Sequence, residues 1–83
     1  MKLLKFHAKW CGPCQGLSMV IKGAEDKINM EIEDIDIDTC GSRSAEYNIR
    51  SVPVLILLDD SGKEIKRKVG GMNETQLLEF LKV

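Results

Sequence analysis

Cys11 and Cys14 stand two residues apart in the run Trp10-Cys11-Gly12-Pro13-Cys14. Thiols at that spacing can exchange disulfides or hold a metal. Exchange needs one exposed, partly ionised thiol and a second close enough to displace it from a mixed disulfide. A helix beginning beside Cys11 meets both needs, because its unpaired N–H groups and positive dipole end favour a thiolate. Cys14, one turn on, then lies within bonding reach and deeper. Cys11 is therefore the expected nucleophile and Cys14 the resolving thiol. The metal alternative would add His7 and Cys40 to make a Cys₃His zinc set. Neither shows zinc-knuckle spacing, and the helix would bury Cys14, so exchange is the better reading and no metal is expected. His7 is expected as a wall of the site, and Trp10, on the loop before the nucleophile, as a substrate platform.

Those residues must be placed by a small body. The 83 residues suffice for one domain, 1–83, and 43% apolar with 30% charged is ordinary for a folded soluble protein. A net charge of −1 argues against a nucleic-acid binder. The longest apolar stretch, Val52 to Leu58, falls far short of the roughly 18 residues of a membrane span. The N-terminus has a lysine within its apolar run and no small-residue cleavage site, so a first strand is expected there and not a signal peptide. A reducing cytoplasm is the default compartment. Three cysteines make no disulfide framework. Cys40 stands apart from the pair and is expected to be dispensable for turnover.

Leu3 to Ala8 reads as a mostly buried strand with Lys5 in its middle. Pro13 suits a helix's first turn, and Leu17, Val20, Ile21 and Ala24 recur at helical spacing, predicting a helix from Cys14 to about Lys27. Gly16 and Gly23 weaken it by about 1 kcal/mol each. From Asp34 to Asp38 apolar and acidic residues alternate as in a strand, and the acids are expected on its solvent face. Ser42 to Asn48 can form a short helix with Tyr47 and Ile49 turned inward. Val52 to Leu58 and Glu64 to Val69 are strands joined by the turn Asp60-Ser61-Gly62-Lys63. Asn73, with Gln76 three residues on, caps a last helix carrying Leu77, Leu78 and Leu81. The order βαβαββα predicts an α/β fold, a four-stranded mixed sheet with helices on both faces. Pro53 at the start of a buried strand removes a ladder donor. Either a cis bond before it or a trans proline at the strand start explains it.

Together these residues resemble the thioredoxin family. Phe6 to Cys14 is similar to its active-site segment, Tyr47 to Pro53 to its approach to a cis-proline, and Val69-Gly70-Gly71 to its glycine loop. The resemblance covers nearly the whole chain and implies a cis bond before Pro53. It implies a substrate-docking surface from Trp10, Gly12, Pro13, Val52, Pro53, Gly70 and Gly71. It further implies a monomeric disulfide reductase without its own cofactor, acting on disulfide-containing proteins and recharged by a flavin-dependent thioredoxin reductase. The Gly-Pro dipeptide is that of the reducing members.

Several departures stand out. The chain begins directly at the strand before the active site, a minimal thioredoxin fold lacking the usual extra N-terminal strand and helix. Met19 replaces a helix proline, and His7 stands where a tryptophan is usual ahead of Ala8. Lys5 occupies the place of a buried aspartate, and Asp34 that of its lysine partner, so the pair is retained with its signs reversed. A lysine in an apolar strand needs a partner. Lys5 and Asp34 are therefore expected together beneath Cys14, as candidates for moving its proton or stabilising its thiolate; the alternative is that Lys5 extends to solvent along the sheet edge. A binding module that keeps the fold and docks a partner is the competing function, and the intact cysteines favour the enzyme.

Overall fold

The computed structural model describes residues 1–82. Its elements are β1 (Lys2–His7), α1 (Gly12–Gly23), β2 (Glu31–Asp36), α2 (Gly41–Glu46), β3 (Val54–Leu58), β4 (Glu64–Val69) and α3 (Glu74–Leu81). The sheet order is β2-β1-β3-β4. β1 runs parallel to β2 and antiparallel to β3, and β3 and β4 form an antiparallel hairpin, as the alternating pattern and the turn at Gly62 imply.

The period of two along β1 sends its side chains to opposite faces. Leu3 packs with Leu17, Ile21, Leu55 and Leu77, under α1 and α3. Leu4 and Phe6 pack with Ile35, Val54, Ile56 and Leu58, under α2. Tyr47 and Ile49 close that second layer as expected, with the Tyr47 ring centroid 5.7 Å from that of Phe6. β3 is buried at every position, which is why it reads as a continuous apolar run. β4 is an edge strand whose Lys66, Arg67 and Lys68 discourage pairing with another chain.

Boundaries differ from expectation where the backbone chemistry is special. α1 ends at Gly23 and not near Lys27, and Glu25–Lys27 forms a separate 3₁₀ turn. The Ala24 N–H is shared between the carbonyls of Val20 (3.1 Å) and Ile21 (3.2 Å), the tightened last turn that a glycine invites. β3 begins at Val54 and not at Val52, because Pro53 has no N–H to give the ladder. α2 lies one to two residues earlier than expected. It stops in a Schellman arrangement, with Asn48 at φ 57°, its N–H on the Ala45 carbonyl (3.1 Å) and Ile49 N–H on that of Ser44 (2.9 Å). α3 opens with the expected reciprocal cap between Asn73 and Gln76. Among the described residues no helix is long and apolar enough to cross a membrane.

Candidate active site

β1 delivers the chain to Ala8, and a turn closed by Cys11 N–H on the Ala8 carbonyl (3.2 Å) starts α1. Cys11 is the N-cap of α1, and its Sγ accepts the Cys14 N–H at 3.1 Å. An otherwise orphaned helix N–H thus points at sulfur, the arrangement that stabilises a thiolate when the pair is reduced. The two cysteines are joined as a disulfide, with Cα atoms 5.3 Å apart. Cys11 was expected exposed, but it is only 5% accessible, against 2% for Cys14. The order of depth is as expected and the difference is small. Ala8, Ile37 and Val52 pack around the pair, and the Val52 carbonyl oxygen lies 3.7 Å from Cys11 Sγ.

The Val52–Pro53 bond is cis. The Pro53 carbonyl accepts the Gly70 N–H at 2.8 Å, which brings the glycine pair to the same end of the sheet as the disulfide. Gly70 has φ +98°, a conformation L side chains rarely adopt. Gly12 and Gly71 are different: a Cβ at either would meet nothing within 4 Å, so packing inside the chain does not require glycine there. Trp10 is 69% exposed, and its indole N–H donates to Asp38 Oδ2 at 3.0 Å. Asp38 is in turn held by its own N–H on Asp36 Oδ1 (2.8 Å).

Lys5 is 6% exposed on the α1 side of the sheet, level with Asp34 in the β1–β2 register. Its Nζ is 3.1 Å from Asp34 Oδ1, and the Asp34 side chain is 61% exposed. The same Nζ donates to Ser18 Oγ, and Ser18 Oγ donates to the Cys14 carbonyl at 3.0 Å. The pair expected beneath Cys14 is thus present, but it reaches Cys14 through Ser18 and at the main-chain oxygen.

The thioredoxin family model matches residues 1–83. The chain belongs to the thioredoxin family. A thioredoxin from Mycoplasmoides gallisepticum is 36% identical over 81 residues, 96% of this chain and 80% of that protein. A bifunctional thioredoxin reductase/thioredoxin from Mycobacterium leprae is 32% identical over 81 residues, 95% of this chain and 18% of that protein. Among solved structures, a thioredoxin variant from Halobacterium salinarum superposes with a TM-score of 0.88 at 32% identity, covering 96% of this chain and 70% of that one. With its Cys11–Cys14 pair, this member of the thioredoxin family is a thiol–disulfide oxidoreductase.

The remaining candidates are His7 and Cys40. His7 ends β1, where its carbonyl accepts the Ile37 N–H (2.9 Å). Cys40 is half-buried in the α2 layer, against the cluster of Leu4 and Phe6. Among the described residues no three His, Cys, Asp or Glu side chains are grouped to hold a metal ion. Two polar residues at the site have no sequence motif of their own, Ser18 and Asp38. Ser18 could have been found from its spacing, four residues after Cys14 and on the same helix face. Asp38 could have been found as the last acid of the alternating strand, which ends beside the active-site loop.

Proposed function

We propose that this chain, as a single monomeric domain, reduces disulfides of cytoplasmic proteins and is recharged by a thioredoxin reductase. The observation that carries the site assignment is the Cys14 N–H aimed at Cys11 Sγ at the head of α1. In the reduced protein the Cys11 thiolate attacks one sulfur of a substrate disulfide, and the other leaves as a thiolate that takes a proton from water. Cys14 then attacks the Cys11 sulfur, closes the Cys11–Cys14 bond and releases the second substrate thiol. Trp10, Gly12, Pro13, Val52, Pro53, Gly70 and Gly71 form the docking surface. The bare Cβ positions at Gly12 and Gly71 support this, since they leave the surface low where a substrate main chain would lie. The Gly-Pro dipeptide supports the reducing direction. The fused Mycobacterium leprae relative supports a reductase as the electron source.

The test is dithiol-driven insulin reduction followed by turbidity. Cys11→Ser should abolish it, a loss of at least about a thousandfold. Cys14→Ser should trap covalent mixed disulfides with substrate, seen by mass spectrometry. Mixed disulfides accumulating on Cys11→Ser instead would reverse the two roles.

A further inference from the structure

Lys5 is the one charged side chain buried among the described residues, and it lies on the face that carries the reactive helix. Burying an ammonium costs free energy that leucine or methionine would not, so its placement calls for a reason. Its partners supply a direction. Ser18 Oγ has a single proton, and it donates that proton to the Cys14 carbonyl while accepting from Lys5. Lys5 thus donates both to Asp34 and to Ser18, and Ser18 donates on to the Cys14 carbonyl, which places the positive centre two hydrogen bonds from the main chain of Cys14.

Cys14 is the sulfur that needs such help. Cys11 has the Cys14 N–H and the helix end to stabilise its charge. Cys14 is 2% exposed, and burial without a partner disfavours a thiolate. We propose that Lys5, positioned by Ser18 and Asp34, is a fixed positive charge that stabilises the Cys14 thiolate in the resolving step. This rests on the reading of Cys14 as the resolving thiol. The Cys14 thiol gives its proton to water, and its thiolate attacks the Cys11 sulfur of the mixed disulfide. The Cys11–Cys14 bond forms, the bond from Cys11 to substrate breaks, and the electron pair leaves on the substrate sulfur, which is protonated by solvent. Lys5 acts by its charge alone and exchanges no proton.

Other titratable groups lie near Lys5 on β1, β2, α1 and the 3₁₀ turn. Asp34 is the one on β2, and His7 follows two residues along β1. Lys22 of α1 and Glu25 of the 3₁₀ turn line, with Lys5, Ser18 and Asp34, an open cleft of about 410 Å³. Lys22 and Glu25 are opposite in sign and exposed, so Lys5 is the buried charge on this face.

Reduced protein mixed with a nitrobenzoate disulfide separates the two steps. The first coloured thiolate released reports attack by Cys11, and the second reports attack by Cys14 on the mixed disulfide. In Lys5→Met the second release should slow about tenfold at neutral pH, its pH midpoint rising by about one unit, while the first stays within about twofold. Lys5→Arg should recover most of the loss, which a packing role would not predict. Ser18→Ala, which keeps the lysine, should fall between. A pH midpoint of the second release unmoved in Lys5→Met would overturn the proposal, as would equal slowing of both releases. Absence of a second release in the parent protein would instead overturn the assignment of Cys14 itself.

Discussion

On the α2 side of the sheet, Leu4 and Phe6 meet Ile35, Val54, Ile56 and Leu58 in an apolar layer. On the α1 side, the same strand offers Leu3 and then, two residues on, the charge of Lys5. One strand therefore serves two ends. Its even positions supply the dry packing that a domain of this size can least spare. Its odd positions carry a charge toward the helix that does the chemistry. The difference teaches that a buried charge is tolerated here because its partner stays wet: Asp34 is 61% exposed, so only one ion of the pair is removed from water.

The largest effect that tests this division is on the dry side. Phe6 is fully buried and touches the Tyr47 ring. Phe6→Ala should destabilise by about 3–5 kcal/mol, much of the stability available to a small domain. Urea unfolding should show it as a lower midpoint. Below that midpoint both steps of disulfide exchange should keep the parent's pH dependence. A shifted pH profile in the folded fraction would mean that the two faces are not separable.

Lys5→Met should do the opposite, changing the resolving step while leaving stability within about 1 kcal/mol of the parent. Methionine fills the same space with apolar atoms, and Asp34 is left mostly in water, so no charge is stranded. Urea midpoints measured beside those of Phe6→Ala decide the matter. A loss as large as that of Phe6→Ala would make Lys5 a structural residue first.

How much of this could be seen in the sequence follows the reach of each signal. The order of elements was legible because hydrophobic period is local, and the Cys11–Cys14 pair because its spacing and helix context lie within a few residues. The pairing of Lys5 with Asp34 was legible only through the family resemblance, since their register depends on how β1 and β2 meet. The burial of Cys11 was not legible. It depends on Val52 arriving from 41 residues away. Ser18 escaped because its one signal, the four-residue spacing from Cys14, gains its meaning only from the lysine across the layer. The early stop of α1 was marked by Gly23, but the sharing of the Ala24 N–H that follows is a matter of backbone geometry.

The smallest effect concerns a second ionic contact across β1 and β2, on the opposite face. Glu33 accepts from Lys2 Nζ at 2.7 Å and from Arg43 at 2.8 Å, tying both strands to α2. The hydrogen bond from Lys2, then that from Arg43, holds its carboxyl below the usual carboxylate range. A carboxylate lowered on folding contributes stability that is present above its unfolded pKa and is lost as pH falls through its folded one. All three side chains are about a third exposed, so the contribution is small and screened by salt. Glu33→Gln should therefore lower the melting temperature at neutral pH by about 2 °C, and the gap should close in acid well below the carboxylate range. Thermal melts at the two pH values check this. A gap that persists in acid would mean the glutamate acts through packing. The rate of the second thiolate release should not move in this variant, because Glu33 shares the sheet with Lys5 but faces the other way.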